Sequence, residues 1–175
     1  MSKRRGSGIG SRAIRGMIAG AVGTAAMDLV WFSRYRRGGG KDPLLRWEFG
    51  GDVLSWADAS APGQFGQNVE RIVTGRQPPE GWARTTTNVV HWATGIGWAV
   101  QYSVLAGRPA RHPVIRAVAL GPVVWLSGYV TLALTGVYEP IWKYDVRTLA
   151  DDLSAHFVFG LTTSATYAAL TRQRT

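Results

Sequence analysis

The chain is 175 residues long, carries a formal net charge of +9 and contains no cysteine. That length suits a single domain, and the absence of thiols excludes disulfides, a thiolate nucleophile and cysteine-ligated metal. Mean hydropathy, −0.03, matches a soluble protein only because apolar and basic stretches are averaged together.

Lys3, Arg4, Arg5, Arg12 and Arg15 precede an apolar stretch, Gly16 to Phe32, in which Asp28 is the one charged residue. A basic start before an apolar segment also describes a secretory signal, and Ala19-Gly20-Ala21 fits its small-residue cleavage pattern. Cleavage there would leave too little apolar chain after Arg15, since such a core needs roughly 7–15 residues. Residues 14–32 are therefore read as a retained helix long enough to cross a membrane.

Residues 33–84 form the first outer loop. Gly38-Gly39-Gly40 lacks the spacing of a phosphate-binding loop and reads as a turn. From Pro62 to Thr74, Phe65, Val69, Ile72 and Val73 fall on one helical face and Gly75 follows as a C-cap, which predicts an amphipathic helix. Trp47, Trp56 and Trp82 around it suit a membrane interface.

Three further spans are expected at about 87–107, 116–138 and 152–170. The third span is the firmest: Ala117 to Tyr138 has no charged side chain and, at 1.5 Å rise, covers a hydrocarbon core about 30 Å thick. Pro122 is compatible with it, because neighbours in a membrane can satisfy the backbone groups that proline frees. Thr85 to Gly107 carries only His91 as an ionisable group near neutral pH, and Leu153 to Leu170 only His156. The fold class expected is all-α, a polytopic membrane protein with four transmembrane helices in a bundle, as one membrane domain over 1–175.

Arg108, Arg111 and Arg116 in the short second connection, and Arg172 and Arg174 in the tail, match the basic start, and no acid accompanies them. Both termini are therefore expected in the cytoplasm, although Arg34, Arg36 and Arg37 lie on the other side. Basic flanks beside anionic lipid account for the net charge, so the partner expected is the bilayer and no nucleic acid is implied.

Steps of four residues stack side chains along one helix face. Gly16, Gly20, Thr24 and Asp28 form such a row; so do His91, Gly95, Ala99, Ser103 and Gly107, and Asp152, His156, Gly160, Ser164 and Ala168. Small residues at this spacing let membrane helices approach closely, so the rows are expected to face inward and to carry their ionisable residues with them. Measured from Arg15, Arg108 and Arg172, the residues Asp28, His91 and His156 lie about 20, 26 and 24 Å along their helices, toward the outer leaflet. Ionisable groups inside a span cost roughly 2.5–3.5 kcal/mol at its centre, which favours gathering them with partners.

One polar cluster of Asp28, His91, Asp152 and His156 is expected, with Glu139, Asp145 and Asp151 from the last outer loop as its rim and Trp142 and Tyr144 as interfacial anchors. Such a cluster could bind or relay a proton, an ion or a small polar ligand. His91, His156 and Asp152 have the chemistry of metal ligands, and haem b between the two histidines is a further possibility. The alternatives are structural: the histidines bond across helices as neutral glue, and Asp28 pairs with Arg34 or Arg36. A structural or assembly subunit that packs a membrane-protein partner, or a second copy, through its small-residue faces is the rival function. No nucleophile elbow, paired catalytic carboxylates or metalloprotease motif supports an enzyme.

Gly16-Met17-Ile18-Ala19-Gly20, His91 eleven residues before Tyr102, and Asp152 four before His156 together resemble the YagU-like family of bacterial inner-membrane proteins. The resemblance covers the four spans and hardly touches the outer loop; it extends to His91 and His156 and not to Asp28. It implies a four-helix fold in a bacterial inner membrane and no particular activity.

Overall fold

Apolar runs punctuated by glycine and proline fold here as helix, with no strand among the described residues. The structure, a computed structural model, describes residues 8–106 and 113–172; Lys3, Arg4, Arg5, Gly107, Arg108, Arg111 and Arg174 lie outside them. Four long helices, α1 (Ile9–Arg37), α4 (Ala83–Ala106), α5 (Pro113–Leu134) and α6 (Val146–Arg172), are joined on one side by a cap containing α2 (Leu44–Glu48) and α3 (Ala61–Thr74). α1 and the Val114–Leu134 part of α5 are long and apolar enough to cross a membrane. α4 and α6 have the length, 24 and 27 residues, but more hydroxyl side chains, and α6 adds Asp151 and Asp152.

Local chemistry sets the helix ends. α1 stops at the triple glycine, where Gly39 takes φ +94 and Gly40 lies so close to the Tyr35 ring that a Cβ has no room. Gly75 ends α3 in the left-handed region at φ 69, its N–H bonded to the Arg71 carbonyl at 2.9 Å, as the sequence predicts. Asp145 opens α6: its Oδ1 accepts from the Thr148 N–H at 3.0 Å and its Oδ2 from the Thr148 hydroxyl at 2.7 Å. α5 continues through Pro122 without a break.

α1 is the central helix, packed on α4 on one side and α6 on the other, while α5 packs on α6. The α1–α4 contact is an antiparallel ladder of the two rows of fours. Gly16 faces Ser103, Gly20 faces Ala99, Thr24 faces Gly95, and Asp28 faces His91. A Cβ on Gly20 would come within 2.7 Å of the Ala99 Cβ and 2.8 Å of the Ile96 Cα, so the helices are as close as glycine permits.

The row on α6 pairs differently from the expectation. Gly160 meets Gly121 and Ser164 lies over Ala117, so this row faces α5. α6 instead meets α1 through Phe159 and Thr163, which close on Gly23. Near the opposite end, the Tyr167 hydroxyl donates to the Ser103 carbonyl at 3.1 Å.

The interior of the long helices mixes small and polar residues with Ala19, Leu120, Val124 and Phe159, while many large apolar side chains lie outside. Gly16, Gly20, Thr24, Asp28, Ser103, Thr163 and Ser164 are inside, while Ile14, Met17, Ile18, Val22 and Leu29 of α1 and Ile115, Val118, Val123, Leu126 and Val130 of α5 are exposed.

The cap is folded onto the helices by aromatic side chains. Trp47 rests against Phe32 and Tyr35, with ring centroids 5.4 and 5.9 Å away. The interfacial position expected of Trp56 does not hold: it is buried with Ala59 and Ala83, its indole N–H donating to the Pro78 carbonyl at 3.0 Å. α3 approaches α4 through Gly63 and Gly66, which meet Thr87 and Thr86, and so turns Val69, Ile72 and Val73 outward.

Candidate functional site

Asp28 lies on the last rung of the α1–α4 ladder, and its side chain is only 8% exposed. His91 directs Nε2 at both of its carboxylate oxygens, 3.1 Å from Oδ1 and 3.0 Å from Oδ2. A single N–H aims well at one acceptor, so a carboxylate straddling the nitrogen keeps spare lone pairs. The ring of Trp92 stands edge-on to His91, centroids 6.3 Å apart.

Glu48 completes a trio with them. It ends α2, directly after the Trp47 that docks on Phe32 and Tyr35, so aromatic packing delivers the carboxylate to the rung. One ligand atom from each of Asp28, Glu48 and His91 lies within 4.8 Å of the others. Glu48 Oε1 is buried without a hydrogen-bond partner; the Trp92 indole N–H, also buried, acts on this carboxylate without reaching bonding geometry. Burial and the neighbouring Asp28 push the Glu48 carboxyl up to about 7.

A cavity of about 620 Å³ opens onto these three residues. Trp31, Tyr35 and Trp47 wall it, and Asn88 and Asp58 add polar groups. Both polar groups are engaged: Asn88 Nδ2 donates to the Phe49 carbonyl at 3.2 Å, tying α4 to the cap. The Asp58 carboxylate accepts from the Ser55 hydroxyl at 2.8 Å and from the backbone N–H groups of Ser55 and Leu54, which hold its pKa below the ordinary value. Arg34, also in the lining, is committed elsewhere: its guanidinium donates to the Asp151 carbonyl and Ser154 hydroxyl, both at 2.7 Å, and sits over the Trp31 ring. The pairing of Asp28 with Arg34 weighed from sequence is thus replaced by His91 for Asp28 and by Asp151 for Arg34.

Asp152 and His156 form a second pair. His156 Nδ1 lies 2.9 Å from the Asp152 carbonyl oxygen and 3.2 Å from its Oδ1. Asp152 interacts with Tyr129 and Tyr138, which pack with Tyr144 at centroid distances of 5.2 to 5.9 Å. Because the α6 row faces α5, this pair does not join Asp28 and His91. The trio at ligand distance among the described residues is Asp28, Glu48 and His91, in place of the His91, His156 and Asp152 set expected. Of the two histidines weighed as haem ligands, His91 lines the cavity and His156 is not among its lining residues.

The expected rim residues have separate partners. Asp151 is 3.6 Å from Arg34, Asp145 caps α6, and the exposed Glu139 has its backbone N–H on the Tyr144 hydroxyl at 3.2 Å. Glu48 is the residue that sequence reasoning missed; its signal was the acid beside Trp47 in the outer loop. Comparison of the chain with protein-family models, characterised proteins and solved structures finds no match.

Proposed function

We propose that the chain is an integral membrane protein of four spans, near 14–32, 87–107, 116–138 and 152–170, in a bacterial inner membrane with both termini cytoplasmic. In this reading residues 33–84 cap its outer side, and the protein binds or relays a proton, an ion or a small polar ligand at Asp28, Glu48 and His91. The large apolar side chains left exposed on α1 and α5 support the membrane assignment. Low hydropathy does not disqualify α4 and α6, because lipid meets only a helix's outer face, and Ser103, Thr163 and Ser164 are turned inward. The resemblance to YagU-like proteins agrees with this and leaves the activity open.

The observation that carries the site reading is a carboxylate, buried against a histidine below the apolar end of α1, that opens on a cavity of about 620 Å³. Ionisable groups at such depth usually mark ligand or proton sites. Asp152 then ties α6 to α5 and the loop above it through Tyr129 and Tyr138. Trp31 and Trp47 in the cavity wall supply a probe. Tryptophan emission of detergent-purified protein should respond to protons or to added cations, and Asp28→Asn and His91→Gln should abolish the response with helix content retained. An identical response in both variants contradicts the assignment.

A second reading, an assembly subunit, draws on α5. It packs on α6 and leaves Ile115, Val118, Val123, Leu126 and Val130 exposed. Co-purification of one stoichiometric membrane partner, or a stable homo-oligomer, would favour it.

A further inference from the structure

We infer that the trio Asp28, Glu48 and His91 is a binding site for a divalent first-row metal ion, each residue giving one ligand atom and the cavity side giving the open coordination positions. The inference rests on the ligand-site reading above and narrows it to one ligand class.

Three features carry it. The first is spacing: Nε2 of His91 sits 3.0 and 3.1 Å from the Asp28 oxygens. Adjacent ligands at right angles around an ion with bonds near 2.1 Å are about 3.0 Å apart, so this pair is already at coordination distance. Glu48 needs only a small approach, since its ligand atom is within 4.8 Å of the other two and opposed ligands are separated by about 4.2–4.4 Å.

The second feature is an acceptor with nothing to give up. Glu48 Oε1 is buried without a hydrogen-bond partner, so turning to an ion breaks no existing bond. The third is charge. Two carboxylates share one histidine, and the guanidinium in the cavity lining is bound to Asp151 and Ser154. With both acids ionised, even a protonated His91 leaves the trio short of positive charge, and a divalent ion corrects that directly.

The donor set selects the class. Imidazole with two carboxylates and no thiolate suits Zn²⁺, Fe²⁺ or Mn²⁺ and disfavours the soft ions that need sulfur. Open positions on the cavity side leave room for water or a small anionic ligand, as in sites that keep an exchangeable position.

The test uses full-length protein in mild detergent, stripped with chelator, then titrated with Mn²⁺ by loss of the free-ion electron paramagnetic resonance signal and with Zn²⁺ by calorimetry. One ion per chain is expected, with affinity reduced roughly 100-fold or more in Glu48→Gln and His91→Gln, a loss at least as large as for removal of an outer-sphere partner. Glu48→Gln sits in the cap and keeps the ladder intact, so it reports on the site even if Asp28→Asn fails to fold. Equal affinity in Glu48→Gln, His91→Gln and the parent protein overturns the inference. Absence of binding by either ion also overturns it, and the tryptophan response then separates the cases. A proton or monovalent-cation response that depends on Asp28 leaves the ligand-site reading standing, and no response removes both.

Discussion

Asp28 on α1 and His91 on α4 face each other as the outermost rung of a ladder whose lower rungs are Thr24 with Gly95, Gly20 with Ala99 and Gly16 with Ser103. The small lower rungs draw the helices together, and that closeness puts a carboxylate against an imidazole at the top. Packing and chemistry are therefore coupled. The residues of the lower rungs fix the distance between the two that carry the charge and the imidazole.

Substitutions at glycines should separate by position. Gly20→Ala drives a methyl into the Ala99 side chain and the Ile96 backbone and should cost roughly 1–3 kcal/mol. Gly97→Ala and Gly128→Ala, where a Cβ meets nothing within 4 Å, should be neutral or stabilise by about 0.5–1 kcal/mol through helix propensity. Thermal or detergent unfolding of the three variants provides the comparison. Equal losses at all three positions would show that close contact at Gly20 is not what matters.

The metal-free protein should carry a pH dependence traceable to Glu48. Its folded pKa, about 7, lies above the ordinary 4.5, so the folded state binds the extra proton. The stability contributed by this group is fully present below about 4.5 and is lost as pH rises through about 7. Subtracting the Glu48→Gln stability profile from the parent profile isolates this term. A flat difference, or one that rises with pH, contradicts the assignment.

His156 serves as an internal control. Its Nδ1 is held by its own helix at the Asp152 carbonyl, and its row faces α5. His156→Ala should lower stability by only about 0.3–0.5 kcal/mol, the worth of a pair four residues apart on one helix, and leave the cavity's response to cations unchanged. A response lost in His156→Ala would mean that the two polar pairs act as one.

Membrane crossing predicts opposite accessibility at the two ends of α1. The chain has no cysteine, so single substitutions can be labelled without background. Asp52→Cys in the cap should react with an impermeant maleimide in intact spheroplasts, and Gly10→Cys, at the other end of α1, only after lysis. Reaction of both before lysis places both sites on one side and contradicts four spans with a cytoplasmic start.

The helical fold was legible from sequence because long apolar stretches favour helices and close helix contacts need small residues. The rows of fours on α1 and α4 met both requirements and pair as a ladder. On α6 the same row is small too, but its partner row, with Ala117 and Gly121, lies on α5, where the uniform lack of charge hides which face packs. Asp152 and His156 therefore turn toward α5. Glu48 was illegible because Trp47 docking on Phe32 and Tyr35, a tertiary contact with no periodicity, brings it in. Trp56 illustrates the same limit: the composition of a loop does not reveal that Pro78 will accept its indole N–H.

Oxidative cross-linking tests the α1–α4 rung most directly. In this cysteine-free chain, Thr24→Cys with Gly95→Cys, the rung next to Asp28 and His91, where the β-carbons would lie 3.4 Å apart, should form an intramolecular disulfide rapidly under mild oxidation, whereas Asp28→Cys with His156→Cys should not. Efficient linkage of the second pair, or none in the first, would contradict the register that builds the site.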